Sequence, residues 1–589
     1  MSDSIRIYAD TVAEREVMAI DSPFAAKDAL AATGLVQWDR HKRRWFAERS
    51  ALGLMQIRKA LSDVGWHTHI DTERPLRGLE CPWGWKGATE HGRRNDGSHW
   101  PTVHPPRDYQ QDAVHAISRM AGVILAWDMG TGKTKAVIDA IIATEAKRVL
   151  VVCPKSVVSV WADQVAEHRP TSHLHSLVAL PLDRGSIAKR STQLKRALEA
   201  QRDQGHALIV AINYEAAHLG GLGKLIPTID WDMAVADESH RIMNPQAKVT
   251  KAMATKIRPR AKKRVCLTGT PFANHPGDIF AQAMFADPGV FGTSWWRFKG
   301  RYLDTIEHPY PKILGVKPDK RAEFDGKLGW IMNRIKIADV LTLPDKVVNT
   351  VTVPLTAETA KVYEALRSEM VAEIEQGEIT VDNALGKMLR LQQICNGVGV
   401  VKSDDPAEPD NTYDIGSEKL DAAREIIDGI DRSEPVVIFA QFTRDIERLR
   451  EAVTAAGRES YVLRGGRNER EQWAEACDSG KGAVLIVQRR AGGVGIDLTR
   501  SHYCIDYSPT FSSIDWRQSR ARQLRHGQRH SVVYYHLLAD PGIDRYMMRA
   551  LETKEKMSTD AMDGIAPGKA DIAHDVMAAM VADDDADHH

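Results

Sequence analysis

The sequence contains few cysteines, no excess charge of either sign and no long hydrophobic run. Its six cysteines are scattered over 589 residues without a CxxC pair, which excludes a cysteine-based zinc cluster and suggests reduced intracellular thiols. Lysine plus arginine and aspartate plus glutamate each total 79, so any nucleic-acid surface must come from local basic clusters. The apolar runs are much shorter than the roughly 20 residues of a membrane span. We therefore expect a cytoplasmic chain with no membrane partner.

Short apolar runs rich in β-branched residues recur in two parts of the chain. Such runs are typical of buried parallel strands, and their spacing leaves room for crossover helices. The first set comprises 123–126, 149–153, 208–212, 233–236 and 265–267. The second set comprises 436–440, 461–463, 484–487, 502–505 and 532–536. This rhythm predicts an α/β fold with two tandem doubly wound lobes, each binding ligands at the carboxyl ends of its strands.

The remaining segments suggest how the chain is divided into domains. Six of the fourteen tryptophans lie within the first 100 residues, which indicates a small folded α+β domain rather than an unstructured arm. The stretch between the lobes is rich in aromatic and basic residues and lacks the strand rhythm, so we predict a helical insertion there. The predicted boundaries are 1–82 for the tryptophan-rich domain, 83–105 for a linker, 106–288 for lobe 1, 289–345 for the helical insertion, 346–415 for a helical connecting segment of lobe 2, 416–564 for lobe 2 and 565–589 for a disordered acidic tail.

A glycine-rich loop follows the first predicted strand of lobe 1. It reads Asp128-Met129-Gly130-Thr131-Gly132-Lys133-Thr134 and precedes a helix-like segment, the order of strand, loop and helix that a phosphate site needs. Lys133 would contact the β- and γ-phosphates of a nucleotide, and the Thr134 hydroxyl would join the Mg²⁺ shell. The strict pattern has glycine at its first position, where this sequence has Trp127. We predict an ATP site with Mg²⁺ as its metal.

Two carboxylates follow a later strand of the same lobe. Asp237 and Glu238 come directly after the run 233–236. Asp237 would hold the Mg²⁺ ion, and Glu238 would orient or deprotonate an attacking water. A solvated strand end is the alternative for such a pair alone. In the company of the glycine-rich loop, the pair favours nucleotide hydrolysis.

Two arginines of lobe 2 could supply the positive charge that phosphoryl transfer requires. Arg522 and Arg525 are three residues apart, which would place them on one face of a helix able to reach across a cleft. A basic solvated helix is the alternative. We predict that both arginines act with Lys133, Asp237 and Glu238 as catalytic residues.

Further short motifs lie in order between Pro106 and Lys556. They are 107–110, 153–156, 212–215, 267–271 with Asn274, 334–344, 389–396, 417–420, 437–442, 491–499 and 518–528. With the loop and the carboxylates, this ordered set resembles the Swi/Snf-like branch of the superfamily-two helicases and translocases. Two positions depart from the family's pattern: Asp497 stands where asparagine is usual, and Leu524 stands where histidine is usual.

The resemblance implies two RecA-like lobes that form an ATP-dependent motor on double-stranded DNA. It assigns nucleotide binding to the glycine-rich loop and to Gln110, which matches the family's adenine-reading glutamine. The residues that would couple ATP hydrolysis to movement are Thr268, Gly269, Gly493, Asp497 and Gln518. Contacts to the DNA backbone are implied for Lys155, Asn213, Gln441 and Thr499.

The tryptophan-rich domain carries two short aromatic segments, Val36-Gln37-Trp38-Asp39 and Arg43-Arg44-Trp45-Phe46. With the helix-like segment before them, they resemble the HARP substrate-recognition module of annealing helicases. The resemblance implies that Arg43, Arg44 and Trp45 contact a DNA branch point. The alternative is a tryptophan-rich domain that only packs on the motor.

Two basic segments leave their role open. Six basic residues crowd the stretch 256–264, and an aromatic and basic run at 295–302 opens the insertion. Either segment could contact DNA. The alternatives are a solvated loop for the first and a packing cluster for the second.

These features favour an ATP-dependent double-stranded DNA translocase that remodels branched DNA in replication or recombination repair, by fork regression, branch migration or strand annealing. The expected partners are double-stranded and branched DNA and replication or recombination proteins, and a monomer is favoured. The compact insertion favours the cytosol of a bacterium or a phage-infected host. One alternative is a motor that displaces DNA-bound protein such as a stalled polymerase. Another, of a different class, is a DNA-structure binder that does not hydrolyse ATP.

Overall fold

The computed structural model describes residues 4–12, 15–71, 103–170, 176–273, 275–306, 312–375, 381–401, 411–465, 467–489, 497–525, 527–562 and 572–587. The chain forms two compact units, Met1–Val340 and Leu341–His589. Within the described ranges, no helix has both the length and the apolar composition that crossing a bilayer requires.

The first unit begins with a small α+β module, which we call the N-terminal module (4–71). Its strands are β1 (Ser4–Val12), β2 (Arg15–Asp21), β3 (Val36–Asp39), β4 (Arg44–Glu48) and β5 (His67–Ile70), and its helices are α1 (Lys27–Ala32) and α2 (Ala51–Ser62). The strands form one sheet in the order β3-β4-β2-β1-β5. Apolar side chains of the sheet and of α2 form its core, with Met18, Leu30 and Ile57 fully buried.

Lobe 1 follows and contains a parallel sheet covered by helices. Its strands are β6 (Gly122–Trp127), β7 (Arg148–Cys153), β8 (Leu177–Pro181), β9 (Ala207–Asn213), β10 (Trp231–Asp237) and β11 (Ala261–Leu267). Its helices are α3 (Asp108–Arg119), α4 (Lys133–Ala143), α5 (Val158–Glu167), α6 (Ile187–Gln204), α7 (Gly220–Leu225), α8 (Lys248–Ala252) and α9 (Ile279–Ala286). The strand order β6-β11-β10-β7-β9-β8 places the first strand beside the last. The central strands are uniformly apolar because helices cover both faces.

The segment that follows is not purely helical, so the predicted helical insertion needs correction. It contains α10 (Trp295–Tyr302), the hairpin β12 (Leu303–Ile306) and β13 (Lys312–Val316), α11 (Arg321–Ile331), β14 (Met332–Ile335) and α12 (Ile337–Val340). Strand β14 pairs in parallel with β6 and becomes the seventh strand of the lobe 1 sheet. Its four residues are only partly apolar, because a strand at the edge of the sheet is less covered than a central one. It therefore lacks the continuous apolar run that predicts a buried strand.

The N-terminal module packs directly on lobe 1 and the insertion. Its α2 lies so close to Gly289 that a Cβ added there would come within 1.9 Å of Ser50 Oγ. Side chains also cross the boundary. Gln56 donates to the Gly289 carbonyl at 2.6 Å, Arg297 donates to the Val36 carbonyl at 3.0 Å, and Arg258 forms an ion pair with Glu48 at 3.1 Å. The module and lobe 1 are therefore one folded body.

Lobe 2 is the second unit and repeats the architecture. Its strands are β15 (Lys346–Pro354), the hairpin β16 (Val398–Val401) and β17 (Asn411–Asp414), β18 (Val436–Ala440), β19 (Ser460–Arg464), β20 (Arg467–Asn468), β21 (Val484–Gln488), β22 (Tyr503–Asp506) and β23 (Val532–Asp540). Its helices are α13 (Ala357–Glu375), α14 (Val381–Cys395), α15 (Glu418–Gly429), α16 (Thr443–Ala455), α17 (Arg470–Asp478), α18 (Ser513–Arg520), α19 (Ile543–Met562) and α20 (Ile572–Asp587). The main sheet has the order β15-β23-β22-β18-β21-β19-β20.

Two sequence predictions for lobe 2 are wrong. The sequence predicts a helical connecting segment at 346–415, but residues 346–354 form β15, which pairs with β23 along its whole length. The sequence predicts a disordered acidic tail, but α20 spans Ile572–Asp587. Val576 and Met580, four residues apart on this helix, are fully buried in the core built by α13, α14 and α19. Apolar burial at helical spacing explains the order despite the acidic residues.

Candidate functional site

The glycine-rich loop connects β6 to α4, as the sequence predicts. Gly130 and Gly132 both have φ of 79°, in the left-handed region that glycine enters without steric cost. Gly132 is the N-cap of α4, and no side chain caps the helix, so the first N–H groups of α4 face the loop. Thr131 is buried and donates its hydroxyl to the Asp128 carbonyl at 2.7 Å. The backbone therefore has the form of an anion-binding helix start.

Lys133 lies within this loop. Its ammonium donates to the carbonyl oxygens of Trp127 at 2.8 Å and Asp128 at 3.1 Å, so the charge is held above the start of α4. Thr134, the next residue, is partly exposed on the first turn of the helix. Both side chains are thus placed where phosphate oxygens and a bound metal would be reached.

Trp127 replaces the usual first glycine of the loop and is fully buried. Its indole N–H donates to Asn333 Oδ1 of β14 at 2.7 Å. The next residue, Asp128, is bound on both sides by the same insertion: its N–H donates to the Ile335 carbonyl, and its carboxylate accepts from the Ile337 N–H at 2.9 Å. The end of the insertion therefore fixes the first half of the loop.

Helix α3 fixes the second half of the loop. Gln110 donates to the carbonyls of Thr131 at 3.2 Å and Gly132 at 3.4 Å, and its own side-chain oxygen accepts from the Arg107 N–H. Tyr109 donates its hydroxyl to the Thr131 carbonyl at 2.8 Å. Gln110 thus contacts the loop itself, while its reading of adenine stays a prediction.

The carboxylate of Asp237 lies at the end of β10. It accepts from the Trp161 indole at 2.9 Å and from the Glu238 N–H at 3.0 Å, and it is nearly buried. Burial, together with the neighbouring charge of Glu238, raises the pKa of Asp237 to about 6. A divalent cation at this carboxylate would offset the cost of its buried charge.

The sheet register brings the carboxylate and the loop to one edge. Asp237 lies beside Leu267 of β11, which lies beside Leu125 of β6. Strands β10 and β11 therefore end at the same level, and β6 continues from Leu125 to Trp127, where the loop begins. This places the predicted metal ligand at the same sheet edge as Lys133, whose charge lowers the pKa of Asp237.

Glu238 follows with an unusual backbone. Its φ is 52°, in the left-handed region that costs a side-chain-bearing residue free energy, and such strain is often found at functional sites. Its carboxylate lies 3.3 Å from His240 Nδ1 and is largely buried.

The predicted coupling residues of lobe 1 lie between the loop and the carboxylates. Thr268 is fully buried, and its hydroxyl accepts from the Thr270 N–H at 3.0 Å. A Cβ added to Gly269 would lie 3.5 Å from the Trp127 carbonyl and 3.7 Å from the Met129 side chain. This segment therefore touches the loop directly. Asn274, predicted with it, lies outside the described residues.

These residues fit a nucleotide and its metal. The uncapped helix start with two left-handed glycines suits phosphate oxygens, and Lys133 supplies a positive charge. Asp237 and Thr134 would supply oxygen ligands of the kind that Mg²⁺ prefers. When bound, the metal would neutralise phosphate charge. The role of Glu238 as the base or water-orienting group stays a prediction.

In lobe 2, the predicted helix face for two arginines is wrong. Helix α18 ends at Arg520, so Arg522 and Arg525 lie in the turns that follow it. Arg522 is nearly buried, and its carbonyl accepts from the Leu498 N–H at 3.1 Å. The three-residue spacing of Arg522 and Arg525 predicts that the helix continues through both, but turns begin directly after Arg520. The catalytic roles of both arginines stay predictions.

The other lobe 2 candidates are partly described. Gln518 lies on α18 and is almost fully buried, and Gln441 donates its N–H to Ser508 Oγ at 2.9 Å. Asp497 accepts from both the N–H and the hydroxyl of Thr499, at 2.9 and 2.7 Å, so the two form one local turn. Gly493 lies outside the described residues. The coupling and DNA roles of this group stay predictions.

A buried ionic network in lobe 2 was missed by the sequence analysis. Arg489, at the end of β21, is fully buried and bonds Asp506 at 2.6 Å and Ser519 of α18 at 2.8 Å. His536 lies 2.9 Å from the other oxygen of Asp506. Burial opposes the charge of Asp506, but Arg489 and His536 hold the pKa of its carboxyl well below its usual range. The network joins the end of β21 to α18. Its members are far apart in the sequence, so no local pattern predicts it.

Two predicted DNA contacts in lobe 1 differ in their surroundings. Lys155 is exposed just after β7. The Asn213 amide is nearly buried: it donates to Glu215 at 2.6 Å and accepts from Arg190 at 3.1 Å. The protein's own side chains therefore satisfy Asn213, and its DNA contact stays a prediction.

The three residues of the N-terminal module that are predicted to contact DNA also differ in their surroundings. Arg43 is exposed in the turn between β3 and β4, with φ of 49°. Arg44 is engaged within the module, where it pairs with Asp10 at 2.6 Å. Trp45 packs edge-on against Trp38, with ring centroids 5.2 Å apart, and Trp38 remains 46% exposed. Arg43 and Trp45 are therefore the predicted residues that could still contact DNA, and Trp38 adds an exposed ring beside Trp45.

Half of the six basic residues of the segment 256–264 are used inside the protein: Arg258, Lys263 and Arg264. Lys263 donates to the carbonyls of Ser118 and Met120, and burial lowers its pKa to about 8. Arg264 donates to the Ala286 carbonyl at 3.0 Å, and burial lowers its pKa to about 10. These cations tie β11 to its neighbours and are unavailable to DNA.

Comparison with known families gives two matches. A model described as the SNF2-related domain matches residues 39–400, and one described as the helicase conserved C-terminal domain matches residues 418–527. The first match alone covers more than half of the chain. It begins within the N-terminal module, and neither description names the HARP module, whose assignment stays a prediction.

Similar proteins come from bacteria, a phage and yeast. An uncharacterized ATP-dependent helicase of Mycoplasma pneumoniae is 26% identical over 468 residues, covering 77% of this chain and 42% of that protein. Protein p41 of Acyrthosiphon pisum secondary endosymbiont phage 1 is 25% identical over 469 residues, covering 76% of this chain and 96% of that one. The DNA repair and recombination protein RDH54 of Saccharomyces cerevisiae (strain S288c) is 23% identical over 489 residues, covering 75% and 49%. The chain thus spans less than half of the Mycoplasma relative.

A solved structure is also similar to the chain. The SWI2/SNF2 ATPase core of Sulfolobus solfataricus in complex with dsDNA has 21% sequence identity and a TM-score of 0.37. The match covers 80% of this chain and 99% of that one.

Proposed function

Because the chain belongs to the SNF2-related family, we propose that it is an ATP-dependent motor that moves along double-stranded DNA. The observation that carries this proposal is the common edge of lobe 1, where the glycine-rich loop with Lys133 follows β6 and Asp237 ends β10, with β11 between the two strands. Thr268 and Gly269 directly follow β11, the strand between them, and Gly269 approaches the loop, so a change at the phosphates would reach this segment directly. That arrangement suits a protein that converts hydrolysis into movement.

Steady-state ATPase activity on a panel of nucleic acids tests the motor. The panel contains single-stranded DNA, blunt duplex, fork, four-way junction and RNA. We expect DNA-stimulated hydrolysis in the wild type and its loss in Lys133→Ala and Glu238→Gln. Lys147→Ala is the matched control, because Lys147 is exposed and, among the described residues, its ammonium donates only to the Gly205 carbonyl, while its other bonds are made by the backbone. No hydrolysis with any nucleic acid would favour a DNA-structure binder instead.

We further propose that the motor remodels branched DNA by fork regression, branch migration or strand annealing. A groove of about 630 Å³ lies between the N-terminal module and lobe 1 and supports this finer function. Its apolar wall includes Phe46 of β4 and Trp295 and Trp296 of α10, and its polar wall includes Lys251 and the Arg258–Glu48 ion pair. Trp296 is 72% exposed, although burial would have stabilised so large an apolar side chain.

The occupant that fits the groove is an unpaired stretch of DNA. Aromatic faces stack on bases of any sequence, and neighbouring cations attract the phosphates. Lys299 lies over the Trp296 ring at 5.9 Å, which adds positive charge beside the stacking surface. Unpaired bases occur at a branch point and not in blunt duplex, so the groove would favour branched substrates.

The groove also has a physical connection to the nucleotide site. Pro245 and Gln246 line it, and they lie only a few residues after Asp237 and Glu238 in the chain. Between them runs one short 3₁₀ helix, Ser239–Ile242. DNA in the groove would therefore contact the segment that continues from the predicted metal ligand.

The ratio of fork-stimulated to duplex-stimulated ATPase activity tests the branch proposal. We expect Trp296→Ala to lower this ratio and to leave duplex stimulation unchanged. Phe24→Ala is the matched control: Phe24 is 85% exposed and has Lys27 over its ring at 5.4 Å, but it does not line the groove. Equal ratios in the wild type and in Trp296→Ala would leave a general duplex translocase.

A further inference from the structure

Two histidines and a glutamate meet where the chain enters lobe 1. His104 lies just before α3, and Glu167 and His168 lie at the end of α5. One ligand atom from each of the three lies within 4.8 Å of the others. Tetrahedral zinc, with bonds of about 2.0–2.2 Å, needs ligand atoms about 3.4 Å apart, so small side-chain rotations bring the three into range. We propose that His104, Glu167 and His168 bind a divalent transition-metal ion of the zinc type.

The backbone and a neighbouring side chain hold the three residues together. The Val103 N–H donates to the Arg169 carbonyl at 3.2 Å, which ties the segment carrying His104 to the segment carrying His168. The two imidazole rings meet edge-on with centroids 5.5 Å apart. Gln164 donates to the Glu167 carboxylate at 2.8 Å and orients it, as outer partners of metal ligands commonly do.

The chemistry of His168 is that of a metal ligand. Its Nδ1 atom is buried and makes no hydrogen bond to the described residues, which is costly for a polar atom. His168 also caps the carboxyl end of α5, where the helix dipole favours a cation.

The nearby positive charge of lobe 1 is already balanced. Lys135 acts on His168 electrostatically, but it is paired with the buried carboxylate of Asp139 on α4. Glu167 would supply the negative charge to the bound ion. A metal with two neutral imidazoles and one carboxylate keeps a position for water.

Metal binding would fasten the start of lobe 1. The segment that carries His104 follows residues 72–102, which connect the N-terminal module to α3. Helix α5 packs against α4, the helix that begins with Lys133. A metal between His104 and α5 would therefore cross-link the beginning of lobe 1 to the helix layer behind the glycine-rich loop. This site is independent of the proposed DNA activity.

Zinc content of the full-length protein tests the site. The protein is stripped with EDTA, dialysed against Zn²⁺, washed free of excess metal and assayed for bound zinc and for its thermal midpoint. We expect His104→Ala and His168→Ala each to lose one equivalent of zinc and the zinc-dependent rise in Tm. His104 is exposed, so its variant tests the site without disturbing the core. Unchanged metal-free Tm in His104→Ala separates lost binding from misfolding.

Two controls address other histidines. His530→Ala removes one ring of a surface pair with His502, at centroids 5.0 Å apart, which also has a glutamate, Glu434, 3.6 Å from His502 Nδ1. A double alanine variant removes the terminal His588 and His589. Both controls should keep the equivalent of zinc that His104 and His168 bind. The proposal is overturned when zinc content is the same in His104→Ala and His168→Ala as in the wild type, or when the equivalent disappears in a control.

Discussion

The indole N–H of Trp127 donates a 2.7 Å hydrogen bond to the side-chain oxygen of Asn333. One residue ends β6 and the other lies on β14, so the bond connects the glycine-rich loop to the insertion. The Trp127 side chain therefore anchors the start of the loop to β14. The usual glycine at this position has no side chain that could make this bond.

Replacing Asn333 by leucine tests this anchor. The change leaves a buried indole N–H without its acceptor, so we expect a loss of about 1–3 kcal/mol in the free energy of unfolding. We also expect a higher KM for ATP, since the first half of the loop loses its support. Urea denaturation and ATPase kinetics measure the two effects. Asn411→Leu, at an exposed strand position, should change neither quantity.

Replacing Gly289 by alanine should separate the N-terminal module from lobe 1. The new Cβ would lie 1.9 Å from Ser50 Oγ and 2.6 Å from the Gly53 nitrogen, so one surface must move. We expect a loss of about 1–3 kcal/mol, typical of overpacking. The fork-to-duplex ratio of ATPase stimulation should fall with it. Retention of that ratio would contradict a role for the docked module in branch recognition.

Gly300→Ala is the control for that change. Gly300 lies on α10 in the same region, and an added Cβ there meets no atom within 4 Å. Alanine favours helix over glycine by about 1 kcal/mol, so stability should rise or stay the same. The fork-to-duplex ratio should be unchanged.

Lys419 should be essential for the stability of lobe 2. Its ammonium is fully buried, pairs with Asp544 at 2.7 Å and donates to Asn396 at 3.0 Å. Lys419→Met leaves the buried Asp544 carboxylate without its cation, so we expect a loss of about 3–5 kcal/mol. Thermal and urea unfolding of the full chain measure it. Lys481→Met should cost little, because the Lys481–Glu459 pair is exposed on the surface.

Binding of magnesium and nucleotide should weaken in acid. Burial and the charge of Glu238 raise the pKa of Asp237 to about 6, and only the ionised carboxylate binds metal. Between pH 7.5 and 5.5 the ionised fraction falls about fourfold, so we expect the Mg²⁺ affinity of the ATP complex to fall by about that factor. Titration calorimetry at both pH values measures it. In Asp237→Asn, the part of the pH dependence due to this group should disappear.

The same pKa has an opposite effect on the metal-free protein. Because the folded-state pKa of Asp237 lies above the ordinary value of 3.8, its contribution to stability is present at low pH and is lost as pH rises through about 6. Asp237→Asn should therefore unfold at a higher temperature than the wild type at pH 7.5 without metal. A lower Tm in that variant would contradict the assignment of a costly buried charge.

The sequence predicts the central strands of both lobes well because they are buried on both faces. Runs such as 149–153 and 436–440 are uniformly apolar, and the structure places strands over both. Edge strands escape the same search. Lys346–Pro354 alternates exposed and covered positions, and Met332–Ile335 is short and polar at its middle, so neither resembles a buried run.

The site residues that could be predicted are those whose spacing along the chain carries the chemistry. Lys133 and Asp237 follow strands in a recognisable order, and the register brings them to one edge. Arg489, Asp506 and His536 are far apart in sequence and meet only after folding, as do His104 and His168. Long-range pairs of this kind leave no local pattern, so the sequence alone cannot reveal them.

The internal use of Lys263 and Arg264 changes how salt dependence should be interpreted. Affinity for DNA falls with salt in proportion to the phosphates that a protein neutralises, because each contact releases condensed counterions. A cation whose ammonium or guanidinium already bonds buried carbonyls releases none. The salt slope of DNA binding therefore counts fewer basic residues than the crowded stretch 256–264 contains, and substitutions at Lys263 or Arg264 lower stability without altering that slope.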